Sequence, residues 1–126
     1  MTPTLVPGDR LRVDPDAYRD SPPRVGEVVV LIDPERPDRW LIKRVAGVGP
    51  GRFWRTPSGL APILPGADAR PPEDATQAIT LASSTIYVMG DAPTARDSRR
   101  FGPVPLRAVI GRAYRIYAPA RRRRDV

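Results

Sequence analysis

The chain contains no cysteine and no histidine, and these two absences exclude several kinds of chemistry at the outset. No disulfide, thiol nucleophile, zinc–thiolate site or histidine-based catalytic triad can be built from its residues. Because a lack of cysteine is compatible with oxidising and reducing compartments alike, it does not settle where the protein works.

Long apolar runs are absent as well. No stretch approaches the roughly 20 apolar residues that a membrane-spanning helix needs. The first residues also lack the basic-then-apolar pattern of a signal peptide. The sequence as printed is therefore expected to behave as a soluble chain.

Aromatic residues make up only 6% of the chain, so its core must be built from valine, leucine and isoleucine. A length of 126 residues suits one domain with a modest core. Seventeen prolines are many for this length, and they disfavour long helices. Together these features predict a β-rich domain of short strands joined by stiff turns.

The net charge is +7, and the basic residues are all arginine except Lys43. Four arginines stand together at residues 121–124, so the rest of the chain is only moderately basic. Such a run is usually a solvated tail, although it can also contact nucleic acid or anionic lipid. A nucleic-acid-binding barrel would interleave aromatic and basic residues on a strand, and only residues 53–55 offer such a pattern. No nucleic-acid partner is therefore expected.

Hydrophobic patterning predicts a mostly antiparallel, all-β fold without a helix. The predicted strands are residues 10–13, 26–32, 40–48, 52–56, 85–89 and 109–117, with a short strand or turn at 76–82. Residues 26–32 are almost entirely aliphatic, as in a central strand. The proline- and glycine-rich residues 57–74 predict an irregular insertion, residues 90–105 a polar turn, and residues 118–126 an arginine-rich tail after a domain spanning 1–117.

Lys43 is the residue whose position indicates chemistry. In a strand, Leu41, Lys43 and Val45 share one face, whereas Ile42 and Arg44 lie on the other. An amine beside apolar side chains loses solvation, which lowers its pKa and favours the neutral form. A neutral lysine can accept a proton from a hydroxyl, which arginine cannot do because it stays charged. The alternative is an ordinary lysine whose amine reaches solvent past the apolar surface.

Three segments, in this order, resemble the signal peptidase I family of Ser/Lys proteases. They are Met-Thr-Pro-Thr-Leu at residues 1–5 followed by Pro-Gly-Asp at 7–9, Ile-Lys-Arg-Val-Ala-Gly-Val at 42–48, and Gly-Asp at 90–91 with Asp-Ser-Arg-Arg-Phe-Gly-Pro-Val-Pro at 97–105. The resemblance extends to about residue 112. It implies the family's all-β fold, a serine endopeptidase activity that processes precursor polypeptides, and no metal or cofactor.

The resemblance also assigns roles to particular positions. Lys43 matches the general base of the Ser/Lys dyad, which needs neither histidine nor aspartate. The substrate-binding positions are Met1, Pro3, Leu5 and Ile42. The positions that support the site are Gly90, Asp91, Thr94, Asp97, Ser98 and Arg99. Gly90 matches a glycine that leaves room beside the lysine. Core packing of Leu5 and Ile42, and a surface turn at Asp97 and Arg99, are the alternatives to these roles.

The match departs from the family pattern at its start. Met1 aligns with the residue that follows the nucleophilic serine, so the nucleophile and one oxyanion N–H donor would immediately precede Met1. Either the true chain continues upstream through that serine and a membrane anchor, or this is an inactive relative. The third segment departs too: Ala92 replaces an asparagine, and the hydroxyl that orients the lysine falls near Thr94 or Ala95.

The form of the third segment is similar to small actinobacterial-type relatives that mature a nickel superoxide dismutase precursor. The implied partner is an extended precursor polypeptide at a membrane surface, on its extracytoplasmic face. A self-cleaving repressor-type Ser/Lys protease shares the fold but needs a scissile Ala-Gly, and the only such pair in the sequence, Ala46-Gly47, lies inside the lysine segment.

Overall fold

A computed structural model describes residues 1, 4–64, 66, 70–92 and 95–126. Its elements are, in chain order, β1 (Arg10–Asp14), β2 (Val28–Ile32), β3 (Trp40–Val48), β4 (Gly51–Thr56), β5 (Gly59–Pro62), β6 (Gln77–Leu81), β7 (Thr85–Met89), the one-turn helix α1 (Ser98–Phe101), β8 (Val104–Pro105), β9 (Val109–Ala118) and β10 (Arg124–Asp125). Short 3₁₀ turns occur at Leu106–Ala108 and Ala120–Arg122. Every strand pairing among the described residues is antiparallel. The predicted all-β fold is confirmed, and β3 and β7 have the predicted bounds.

The larger sheet has the strand order β1-β9-β2-β3-β7-β8, with β10 added to β9. β2 lies inside this sheet, and its first four residues are buried because both of its faces are covered. Each such aliphatic side chain contributes about 1.5–3 kcal/mol on burial. The core cluster on one face, called the Val29 cluster, consists of Val29, Leu31, Val45, Ile86, Val88 and Val104. The cluster on the other face, called the Val28 cluster, consists of Val28, Val30 and Ala113.

A second, three-stranded sheet has the order β5-β4-β6. Its β5 begins at Gly59, inside residues 57–74, so the prediction of a wholly irregular insertion is wrong at this point. Two residues join β4 to β5, and Gly59 has a φ of +149°, which a glycine adopts without strain. The proline-rich composition hid this hairpin because proline is tolerated at strand ends and edges.

Residues 90–105 also contain more structure than the predicted polar turn. Asp97 caps α1 by accepting a hydrogen bond from the backbone N–H of Arg99, and β8 then pairs with β7. A helix of four residues is too short to show a hydrophobic period, which is why the sequence pattern did not reveal it.

The last residues fold back onto the domain, although the sequence predicts a solvated tail. After the turn at Ala120–Arg122, β10 pairs with β9, and the N–H of Val126 donates to the carbonyl of Tyr114 at 3.2 Å. The run does not stay extended in solvent because β2 pairs with β9 only as far as Ala113, and β10 pairs with β9 beyond that point, at Arg115 and Ile116. The domain boundary at residue 117 remains a prediction.

Candidate active site

Lys43 lies in the middle of β3, on the sheet face that carries the Val29 cluster. Its direct partner on β2 is Val29, and Val45 follows it on the same face. Only 8% of the Lys43 residue is exposed to solvent. Ile42 packs against the opposite cluster, so the predicted division of faces is confirmed. The strand thus holds a lysine side chain against aliphatic neighbours.

This surrounding lowers the pKa of Lys43 below its ordinary value of 10.5. Burial is the largest cause, because the ammonium form loses its hydration. The charge of Asp97 opposes the shift, Arg96 and Arg99 add to it, and Asp33 opposes it. Among the described residues, no hydrogen bond or ion pair to the Lys43 amine is present. The amine is therefore suited to exist uncharged and to accept a proton.

Gly90 follows β7 directly and provides space for the lysine. A Cβ atom at this position would lie 3.3 Å from Nζ of Lys43, and it would collide with Cβ of Ala95. Any larger residue would have to displace one of these neighbours. Gly90 thus lies beside the lysine amine, and the role that the resemblance implies for it remains a prediction.

Asp97 is a completely buried carboxylate at the start of α1. It accepts hydrogen bonds from the backbone N–H of Gly90 at 2.7 Å and of Arg99 at 2.9 Å. The Arg99 guanidinium donates to both of its oxygens, at 2.9 Å from Nε and 2.6 Å from Nη2. Asp97 thus fixes the backbone at Gly90, and the ion pair expected from the sequence is present.

Hydrogen bonding decides the charge of Asp97. Burial by itself raises the pKa of the carboxyl, but the bonds from Arg99 and Gly90 outweigh it. The net result is a pKa below the usual 3.8. Asp97 is consequently ionised at neutral pH, and its negative charge faces the lysine site.

Ser98 is buried and serves the backbone. Its Oγ accepts a hydrogen bond from the N–H of Val88 at 2.9 Å, which fastens α1 to β7. The oxygen of this hydroxyl is therefore occupied by a backbone bond. The support role that the resemblance implies for Ser98 remains a prediction.

Asp91 connects the first segment of the sequence to the second. The Thr4 hydroxyl donates a short hydrogen bond to Asp91, and Arg44 donates from Nε at 3.1 Å and from Nη2 at 3.3 Å. Burial raises the pKa of Asp91, but the bonds from Arg44 and Thr4 and the charges of Arg44 and the Met1 amino group outweigh it, so the net pKa is lowered. The N-terminal turn, residues 4–9, is therefore tied to the residue next to Gly90.

Two of the predicted substrate-binding residues, Met1 and Ile42, lie on the other face of the sheet. Met1 and Ile42 pack on the Val28 cluster, and Leu5 is buried. Ile42 also lines an apolar cleft of about 480 Å³, together with Trp40 and Leu11. Two further predicted residues, Pro3 and Thr94, lie outside the described residues. Their roles, like substrate binding by the other three, remain predictions.

A larger cleft of about 720 Å³ runs beside the site, between the two sheets. Met89, Gly90 and Asp91 form one wall, and Leu60 of β5 lies across from them. The cleft is open to solvent and has the dimensions of a small-molecule or short-peptide site.

An ion-pair network that sequence reasoning missed lies close to Lys43. Arg96 donates from Nη1 to the buried Asp33 at 3.0 Å and to Glu35 at 2.9 Å, and from Nη2 to Asp33 in a short bond. The network fastens the segment before Asp97 to the turn after β2. A sequence signal existed, because Asp33 directly follows a buried aliphatic strand, where an aspartate needs a partner.

In the part of the chain described by the structure, no group of three or more acidic side chains could hold a metal ion. Within the same residues, no helix has the length and apolar character required to span a membrane.

Comparison with known proteins gives a consistent family. Residues 1–60 match the family model described as signal peptidase, peptidase S26. A probable signal peptidase I-1 from Synechocystis sp. is 31% identical over 135 residues, covering 97% of this chain and 68% of the relative. The mitochondrial ATP-independent inner membrane protease subunit 1b of Arabidopsis thaliana is 34% identical over 114 residues, covering 89% of this chain and 61% of the relative.

The fold agrees with these sequence matches. A crystal structure of a signal peptidase I from Enterococcus faecalis superimposes with a TM-score of 0.53 and 20% identity. It covers 73% of this chain and 97% of the other. At this level of identity, the similarity concerns the fold.

Proposed function

Because the chain belongs to the signal peptidase, peptidase S26, family, we propose that it is the catalytic part of a serine endopeptidase that cleaves precursor polypeptides. The observation that carries this proposal is the buried Lys43 amine, whose pKa is lowered beside Gly90. Removing a lysine amine from water lowers the stability of the fold, and the lowered pKa lets the neutral amine accept a proton.

In the proposed reaction, a serine immediately before Met1 is the nucleophile. Its Oγ attacks the carbonyl carbon of the scissile bond while its proton passes to the neutral amine of Lys43. Collapse of the tetrahedral intermediate breaks the C–N bond, and Lys43 returns the proton to the leaving amine. Water then attacks the acyl carbon while Lys43 takes its proton. When the acyl C–O bond breaks, Lys43 passes this proton to the serine Oγ, which releases the carboxylic acid and regenerates the enzyme.

The placement of the N-terminus supports this nucleophile. The Met1 amino group lies near enough to Asp91 for its charge to lower the carboxyl's pKa. Asp91 follows Gly90, against which the Lys43 amine lies. A residue joined to Met1 would therefore start near Asp91, one residue from Gly90.

The proposed substrate is an extended precursor chain with small side chains before the cleaved bond, bound at a membrane surface. The clefts on either side of β3 offer room for such a chain. The inner membrane protease among the relatives supports a membrane location for the complete protein.

The test compares two purified proteins, the chain as printed and a form that also carries its upstream codons. Both are assayed on a peptide with small residues before the cleavage site. We expect only the extended form to cleave, because only this form supplies the hydroxyl. If neither protein cleaves and the upstream codons encode no serine, the enzymatic proposal fails in favour of an inactive relative or a basic binding module.

Gly90→Ala in the extended form should lower kcat about 10- to 100-fold, the cost of moving a catalytic group by about 1 Å. The new methyl group would press on Nζ of Lys43 and collide with Ala95. Adding Ala95→Gly should recover part of the loss, because it removes the collision. Gly51→Ala in the second sheet is the matched control and should change kcat less than about twofold. Equal kcat for Gly90→Ala and the unchanged enzyme would refute the role of Gly90.

A further inference from the structure

The N-terminal turn is held from two sides through Thr4. On one side, its hydroxyl binds Asp91, next to the lysine site. On the other side, its carbonyl oxygen accepts hydrogen bonds from two arginines of the C-terminal run, Arg122 at 3.3 Å and Arg124 at 2.5 Å. The two ends of the described chain therefore meet at one peptide group, four residues after the proposed nucleophile.

Asp9, at the end of the same turn, forms a second attachment. Its carboxylate accepts two hydrogen bonds from Arg122, at 2.6 Å from Nε and 2.9 Å from Nη2. Only 3% of the Asp9 side chain is exposed. A bidentate pair of this kind fixes orientation as well as distance. The bond from Arg122 is the main cause of the lowered pKa of Asp9, so the pair is ionic at neutral pH.

Asp9 also closes the turn itself, because its Oδ2 accepts the backbone N–H of Val6 at 2.9 Å. The backbone N–H of Asp9 donates to the carbonyl of Val6 at 3.1 Å. Residues 6–9 are thus a closed loop whose one carboxylate is also held by Arg122. A shift of Arg122 would move this loop and the residues before it.

The C-terminal segment is attached to the larger sheet by strand pairing, an ion pair and an apolar contact. β10 pairs with β9 at Ile116 and Arg115, and Asp125 forms an ion pair with Arg115 at 3.0 Å. Val126 packs on the same Val28 cluster as Met1. The segment is therefore part of the sheet and is not a loose tail.

We propose that Arg122, assisted by Arg124, is a positioning residue that sets the N-terminal turn, and with it the residue before Met1, against the Lys43 amine. This inference rests on the proposed function. Arg122 and Arg124 then form a clamp, meaning that they hold the N-terminal turn in place through Thr4 and Asp9. The four arginines of the run are therefore not equivalent. Arg121 is exposed, and Arg123 donates to the carbonyl of Tyr117, outside the turn.

The test uses the extended form with Arg122→Ala, Asp9→Asn and the double variant, and Arg121→Ala as the matched control. We expect Arg122→Ala to lower kcat about tenfold or more with little change in KM, because Arg122 lines neither of the two clefts beside β3. Asp9→Asn should lower kcat to a similar extent, but its KM is not diagnostic because Asp9 lines the smaller cleft. The double variant should be no worse than either single one, because both remove the same pair. Arg121→Ala should stay within about twofold of the unchanged enzyme.

A second readout does not require activity. Amide hydrogen exchange at Val6 should accelerate in Arg122→Ala and stay unchanged in Arg121→Ala, because only the former loosens Asp9. An unchanged kcat in Arg122→Ala, or an equal loss in Arg121→Ala, would overturn the clamp. If no form of the protein cleaves, the proposed function fails by itself. The Val6 exchange then decides the clamp: faster exchange in Arg122→Ala alone supports it, and unchanged exchange overturns it.

Discussion

Replacing Lys43 by methionine in the extended form should abolish peptide cleavage and, at neutral pH, make the fold more stable. Methionine has a similar length but cannot accept a proton, so the loss should reach about 10³-fold or more, as when a member of a catalytic set is removed. The unfolding free energy should rise by roughly 1 kcal/mol, the lower end of the cost of burying a polar group, because methionine removes the partial desolvation of the ammonium. A residue kept only for structure would not combine these two effects.

The stability gain should depend on pH in a defined direction. The folded-state pKa of Lys43 lies below the ordinary 10.5, so between these two values the unfolded chain binds more protons than the folded one. The stability of the unchanged protein therefore rises with pH across this window. The advantage of Lys43→Met should be full below the folded-state pKa and should disappear as the pH approaches 10.5.

Lys43→Arg is the matched control, because it keeps a charge that cannot be removed. It should also abolish cleavage, but it should lower the unfolding free energy where methionine raises it. Thermal and urea unfolding from pH 6 to 10, with cleavage assays on the same samples, would measure both quantities. Cleavage by Lys43→Met at more than a few per cent of the original rate would exclude Lys43 as the base.

The sequence predicted the elements whose pattern is local. Alternation along residues 40–48 identified β3 and placed Lys43 on the same face as Val45, because side-chain direction in a strand follows from position alone. The aliphatic run at residues 26–32 identified the central β2 for a similar reason. Only the family resemblance predicted that Gly90, Asp97 and Arg99 lie together at the site, because no local pattern at residues 90–91 and 97–99 indicates it.

The missed features are those that depend on distant partners. The pairs Asp33–Arg96 and Asp9–Arg122 join residues 63 and 113 positions apart, and no local pattern announces such a pair. The arginine run has the composition of a solvated tail. Its pairing with β9 at Arg115 and Ile116 is a tertiary contact that composition does not reveal. The position of Asp33 after an aliphatic strand signals that this carboxylate needs a partner, but it does not show which residue supplies it.

Asp97→Ala should be among the most destabilising single changes in the chain. It would remove the acceptor for the Gly90 N–H, uncap α1 and leave the partly buried Arg99 guanidinium without its carboxylate. Breaking one partner out of a buried pair costs about 3–5 kcal/mol, which is a large share of the stability of a domain of this size. Cleavage should fall as well, because Gly90 would lose the bond that fixes it beside Lys43.

Asp97→Asn separates charge from shape in this prediction. The amide keeps one acceptor oxygen, so it can cap α1 or accept from Gly90 but cannot do both, because these bonds use different oxygens of Asp97. The loss of stability should still be smaller than for alanine, which keeps neither bond. Since the Asp97 charge opposes the lowering of the Lys43 pKa, its removal should lower that pKa further. The pH profile of kcat/KM should then rise at lower pH in Asp97→Asn than in the unchanged enzyme. An unmoved profile would mean that Asp97 acts on the site through backbone geometry alone.

Acid unfolding provides the independent check of the Asp97 pair. The folded-state pKa of Asp97 lies below the usual 3.8, so its contribution is complete above that value and is lost as the pH falls through the folded-state pKa. The stability difference between the unchanged protein and Asp97→Asn should therefore be constant from pH 7 down to about 5 and should shrink below about pH 4. A difference that persists undiminished at pH 2 would place the stabilisation in packing and not in the charge of the carboxylate.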